Sequence, residues 1–169
     1  SAVVVDFLVD GCTFTSNTGG GIFSDTATPS SGFTGVNFTN FTLSDSTFTG
    51  NGAANNQTAV YIERLNNGTI TRNTFTDNGI ATNPRAITLN LKYGAYSNIT
   101  VTDNIGVETR AGVGANGHGL FLAARNDAPS YSAVPASVAN AVVTGNEFTG
   151  FHTGVSLAND VAWASTTVA

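Results

Sequence analysis

Charge is scarce in this 169-residue chain, in which Asp, Glu, Lys and Arg together make up only 10% of the residues, against an average of about 25%. Six basic residues stand against eleven acidic ones, for a net charge of −5 at pH 7. Binding a phosphate backbone requires clustered Lys and Arg that displace counterions. No such patch exists, so nucleic acid is not an expected partner. No apolar run approaches the ~20 residues that a helix needs to cross a bilayer, so no membrane span is expected. Nor does the chain open on a basic segment followed by an apolar one, so any export signal has already been removed. Cys12 is the only cysteine, which excludes an internal disulfide and leaves it as a small buried hydrophobe. A sustained 3.6-residue period is also missing, so helix should be minor. What remains is 41% apolar residues and 19 glycines, with a polar surface built from Thr, Ser and Asn. The length suits a single domain.

A motif recurs five times along the chain, at Val9–Phe14, Leu43–Phe48, Ile70–Phe75, Val101–Gly106 and Val143–Phe148, with spacings of 34, 27, 31 and 42 residues. A second motif follows each copy, a small residue and then alternating apolar positions: Gly21-Ile22-Phe23, Ala59-Val60-Tyr61-Ile62, Ala86-Ile87-Thr88-Leu89, Gly119-Leu120-Phe121-Leu122 and Gly154-Val155-Ser156-Leu157. Motifs repeating every few tens of residues indicate stacked supersecondary units. Period-2 alternation bounded by Gly, Asn, Asp and Pro indicates strands. The expected fold is all-β, a right-handed parallel β-helix of about five to six coils over residues 1–169, with at least two short strands per coil.

Equivalent residues of such coils lie about 4.8 Å apart. The Val9/Leu43/Ile70/Val101/Val143 column should point inward, as should Phe14, Phe48, Phe75 and Phe148, each phenylalanine contributing about 1.5–3 kcal/mol by burial. Gly106 interrupts the aromatic column, and Ile105 or Val107 is expected to fill the gap. Asn73, Asn104 and Asn146, with Ser46 and Cys12, occupy the bend between the inward positions. Asn tolerates left-handed backbone angles there, and its amide can bond the next coil, which predicts an asparagine ladder. Two long loops, Ser24 to Asn40 and Ala123 to Asn140, should leave the helix at one corner.

With these repeats the chain resembles the right-handed parallel β-helix superfamily that includes pectate lyases and polygalacturonases, over nearly its whole length. Gly117-His118-Gly119 looks like the glycine-histidine-glycine element of polygalacturonases. The resemblance implies aspartates ahead of the equivalent strand in the two preceding coils, because glycoside hydrolysis takes one carboxylic acid for the leaving oxygen and another carboxylate for water. Those places hold Gln57-Thr58 and Asn83-Pro84-Arg85, and Val155-Ser156-Leu157 stands where an arginine and a lysine are expected. His118 and Arg85 are therefore the remaining catalytic candidates, and they do not form a hydrolase site by themselves.

Other chemistry can be assigned to the outward columns. Thr58, Arg85, His118 and Thr153 should form one, and Phe23, Tyr61, Thr88, Phe121 and Ser156 the next. Tyr61, Arg85, His118 and Phe121 are then a candidate polysaccharide-binding face, with rings to stack on sugars and Arg85 to meet a uronate carboxylate. Asp25 and Glu63 are the weak candidates for a calcium ion, the one metal considered, and lie on different coils; no cofactor is otherwise implied. Thr13/Thr47/Thr74 and Thr15/Thr49/Thr76/Thr149 form outward Thr-x-Thr columns that resemble the ice-contacting face of antifreeze solenoids, though Ile105, Val107 and Glu147 break the array. Sequons beginning at Asn37, Asn40, Asn56, Asn67 and Asn98 are glycosylation candidates and agree with an extracellular or cell-surface location.

Neither end carries the polar cap a solenoid normally needs, so the chain is expected to be part of a longer protein or to stack end to end into a fibre. The expected function is a non-catalytic extracellular structural or surface-recognition module. The alternatives are a polysaccharide-binding or polysaccharide-degrading protein and an ice-binding solenoid.

Overall fold

Thr-Phe-Thr occurs at 13–15, 47–49 and 74–76, and each copy is a three-residue strand with its threonines outward and its ring inward, as the two-residue period of extended backbone dictates. In the computed structural model, which describes residues 3–25, 37–54, 58–158, 163–164 and 166–169, these triplets open one of three parallel sheets. The first sheet holds β1 (Val3–Val5), β2 (Leu8–Asp10), β5 (Asn37–Ser44), β8 (Leu65–Thr71), β12 (Ala95–Thr102), β15 (Ser137–Thr144), β18 (Trp163–Ala164) and β19 (Thr167–Val168). The second holds β3 (Thr13–Thr15), β6 (Thr47–Thr49), β9 (Thr74–Thr76), β13 (Ile105–Val107) and β16 (Glu147–Thr149). The third holds β4 (Ile22–Ser24), β7 (Val60–Ile62), β11 (Asn83–Leu91), β14 (His118–Ala124) and β17 (Thr153–Ala158), with the short β10 (Gly79–Ile80) antiparallel to β11.

Following the chain visits the three sheets in turn, once per coil, which is a parallel β-helix of five coils with β18 and β19 beginning a sixth. The register is the one the repeats imply. Val9 pairs with Leu43, Leu43 with Ile70, Ile70 with Val101 and Val101 with Val143. Phe14 pairs with Phe48 and Phe48 with Phe75, their rings stacked at 4.6 and 5.0 Å between centroids. Phe41, Leu43, Ile70, Phe48, Phe75, Ile87 and Leu120 are fully buried in the core between the sheets.

The gap at Gly106 is filled differently from the expectation. Ile105 and Val107 sit one position either side of Gly106, so alternation turns them away from the core, and Ile105 is 47% exposed. The ring of Phe148, one coil on, leans into the space instead, with Phe151 edge-on beside it. A Cβ on Gly106 would stand 2.6 Å from Cδ1 of Phe148, and one on Gly119 only 2.2 Å from its Cγ. Gly21 makes the same allowance for Phe48, at 2.7 Å. The small residue that opens the second motif thus leaves room for the aromatic column.

The asparagine ladder is present. Asn73 and Asn104 each donate backbone N–H and side-chain Nδ2 to Oδ1 of the next member, Asn104 and Asn146, at 2.9–3.1 Å. Ser46 N–H donates to Asn73 Oδ1, and Cys12 N–H to Ser46 Oγ. The left-handed residue, however, is not the asparagine but the one before it: Gly11, Asp45, Arg72, Asp103 and Gly145 have φ of 51–65°. Turning the chain one residue earlier lets the following asparagine aim its amide inward at the neighbouring coils. Cys12 is exposed rather than buried, because it stands on the first described coil, and its thiol donates only to Asp10 O at 3.4 Å.

A second inner ladder closes the other end of the second sheet. Asn17 donates N–H and Nδ2 to Asn51 Oδ1, and Asn51 does the same to Asn78 Oδ1, each member again following a left-handed residue. On the next coil Arg110 takes over. It pairs with the buried Glu108 carboxylate at 2.7 Å and donates to the carbonyls of Asn78 and Gly79.

Candidate functional site

Outward positions of the third sheet carry the residues the repeats select for binding. Strand pairing places Arg85 beside His118 and His118 beside Thr153, and aligns Phe23, Tyr61, Thr88, Phe121 and Ser156 along the helix axis. Phe23 is 48% exposed and stacks on Tyr61 at 5.1 Å with 16° between ring planes. Two coils further, the Phe121 ring lies 5.4 Å from His118 and 5.7 Å below the Arg85 guanidinium. Thr58 and Thr88, expected outward, are both buried, and the Thr58 hydroxyl folds onto the carbonyls of Val60 and Ala86.

His118 also departs from the expected exposed position. Packed against Phe121 and Arg85, it keeps only 9% of its surface in water, and its Nδ1 has no hydrogen-bond partner within the described protein. Burial, followed by the charge of Arg85 and that of His152, holds its pKa below the usual histidine value, so the ring is neutral at pH 7. Arg85 donates to Asn83 Oδ1 at 3.3 Å and Asn116 O at 3.4 Å, both uncharged acceptors. Four other cations are paired with carboxylates: Arg72 with Asp45, Lys92 with Glu63, Arg110 with Glu108 and Arg125 with Asp127. Arg85 has no carboxylate within ion-pair distance among the described residues. Among the described residues His118 has none either.

A polar cluster that sequence reasoning missed adjoins the face. The Tyr61 hydroxyl donates to Glu63, Lys92 pairs with the same carboxylate, and Asn90 Nδ2 donates to the Tyr61 oxygen at 2.9 Å. Burial pushes the Tyr61 hydroxyl far above its usual pKa. Over this cluster lies the loop after β14, where Tyr131 is held beneath the Arg125 guanidinium at 4.3 Å and the Lys92 ammonium at 5.5 Å, with Tyr93 alongside at 5.3 Å. Such contacts are each worth on the order of 0.5–2 kcal/mol. Only an aromatic in the loop that follows Arg125 hinted at it. The companion loop after β4 leaves from the same corner, but residues 26–36 of it lie outside the described residues.

These contacts remove Glu63 as a calcium ligand. Its carboxylate is buried and committed to Lys92 and Tyr61, whereas a calcium ligand must be free to face the ion. Asp25 is exposed, and among the described residues no three His, Cys, Asp or Glu side chains gather closely enough to hold a metal.

The chain matches no model of a protein family, no curated protein and no solved structure.

Three sequon asparagines prove to share one structural role. Asn40, Asn67 and Asn98 stand in left-handed conformation on the outer surface of the first sheet, with Asp6 before them and Asn140 after. Each Nδ2 donates to the preceding coil: Asn40 to Asp6, Asn67 to Asn40, Asn98 to Asn67 and Asn140 to Asn98, at 2.8–3.2 Å. The Asn-x-Thr pattern follows from this kink, since the next residue turns inward and the Thr after it turns out. A glycan at any of the three would be carried by a nitrogen that here links two coils. Asn37 lies half-buried at the start of β5, and Asn56 lies outside the described residues.

Proposed function

We propose that the chain is a non-catalytic, extracellular or cell-surface recognition module on a pectate lyase-like scaffold, and that it binds polysaccharide along the outer face of its third sheet. One observation carries this reading: stacked aromatic rings and an arginine bonded to uncharged acceptors share the outer side of a single sheet. Sugar rings present C–H faces that pack on Phe23, Tyr61 and Phe121, and a uronate carboxylate would complete Arg85 with a charge-assisted bond. The neutral His118 ring packs against Phe121 beneath this part of the face and supports it from within. The loop held down by Tyr131 walls one end of the face.

Affinity electrophoresis through gels containing pectin, alginate or a heparin-like polymer tests the reading. The protein should be retarded in at least one, Tyr61→Ala, Phe121→Ala and Arg85→Ala should each release it, and no new reducing ends should appear. Free migration in every gel would overturn the binding, and release of reducing ends or unsaturated products would overturn the non-catalytic assignment.

A further inference from the structure

The second sheet offers a different surface. Its first three coils repeat the same triplet, and pairing sets Thr13, Thr47 and Thr74 in one outward column and Thr15, Thr49 and Thr76 in the other. The result is a grid of six threonines, repeating about every 4.8 Å along the axis and about 6.6–6.8 Å along each strand. None of the six hydroxyls forms a side-chain hydrogen bond among the described residues. Some hydroxyls of the first sheet are instead engaged: Ser44 Oγ donates to Asp10 at 2.6 Å, and those of Thr71 and Thr102 bond each other at 3.0 Å. No charged residue falls within the grid.

The grid is also held rigidly from behind. Its three strands are bracketed by the ladder through Ser46 and Asn73 at one end and by Asn17, Asn51 and Asn78 at the other. Phe14, Phe48 and Phe75 stack beneath it with planes 6° and 14° apart. A fixed, uncharged array of hydroxyls and methyls spends no ordering entropy when it meets a partner, but it makes strong cumulative contact only with one that repeats in two dimensions on the same scale. Small molecules and single polymer chains do not repeat that way, whereas the surface of ice does. We propose that the threonine grid of the second sheet binds ice.

The test is thermal hysteresis and crystal shape in a nanolitre osmometer with the whole chain. A gap between melting and freezing and faceted crystals are expected. Thr47→Tyr with Thr74→Tyr, which keeps β-forming residues but destroys the flat grid, should reduce the gap to that of an inert control protein, with circular dichroism unchanged. Should that pair unfold the chain, Thr47→Lys alone is read instead, with the same loss expected. Thr100→Tyr, the comparable change on the first sheet, should leave the gap intact. Round crystals and no gap with the unaltered chain would overturn the proposal, as would a gap that survives the second-sheet changes or is lost equally with Thr100→Tyr. Because sugar retardation depends on the third sheet, either proposal can fail alone.

Discussion

The inner and outer asparagine ladders use the same side chain at the same coil spacing, yet they do different work. Asn104 of the inner ladder is fully buried; its Oδ1 accepts from Asn73 N–H and Nδ2, and its Nδ2 donates to Ile70 O, Thr102 O and Asn146 Oδ1. Asn67 of the outer ladder is exposed, gives one bond, receives one, and has φ of 49°. Water can replace the contacts of Asn67 but cannot reach the groups that Asn104 serves. Burial therefore decides what an identical ladder is worth, while the outer ladder is chosen mainly for its backbone angle.

Substitutions can break or sharpen that contrast. Phe75→Ala sets the upper end of the scale, an expected loss of about 3–5 kcal/mol in urea unfolding, because the cavity lies between Phe48 and the Gly106 gap. Asn104→Ala should cost about 3 kcal/mol by the same measurement, since it orphans a buried N–H and buried carbonyls together. Gly119→Ala should cost about 1–3 kcal/mol through its clash with Phe148, and adding Phe148→Leu should recover part of that, where independent effects would simply add. Asn67→Ala should cost about 1 kcal/mol and Asn67→Gly almost nothing, because glycine accepts the left-handed angle that alanine resists. If Asn67→Ala proved as damaging as Asn104→Ala, the distinction between the ladders would be lost.

The smallest effect expected concerns pH. The folded-state pKa of His118 is depressed by burial and by Arg85, so the unfolded chain takes up the proton first as pH falls. Stability should then decline as pH drops below the usual histidine value of about 6.5 and level off once the folded-state value is passed. His118→Gln should flatten that part of the pH profile of unfolding.

Much of the architecture was legible because equivalent residues recur at fixed places in each coil. The Val9 and Phe14 columns and the bend asparagines needed only the repeat and the two-residue alternation. The Asn17, Asn51 and Asn78 ladder was equally regular, each member three residues after a phenylalanine of the column, but it went unread because the fourth coil breaks it with Glu108 and Arg110. Asn40, Asn67, Asn98 and Asn140 each lie three residues before the inward Leu43, Ile70, Val101 and Val143. Their role was hidden because Asn-x-Thr also spells a glycosylation signal. On the candidate binding face, the repeats gave the register that pairs Arg85 with His118 and aligns Tyr61 with Phe121. The burial of His118 and the anchoring of Tyr131 depend on how side chains and one long loop fold over the sheet, which no periodicity encodes.

Side-chain amide contacts probe the central claim most directly. In a nitrogen-15-edited NOESY spectrum, the Nδ2 protons of Asn73 should show cross-peaks to those of Asn104, and those of Asn104 to Asn146, with all three pairs exchanging slowly with water. Rapid exchange and the absence of those cross-peaks would mean that coils some thirty residues apart do not lie on one another, and the proposed faces would no longer exist.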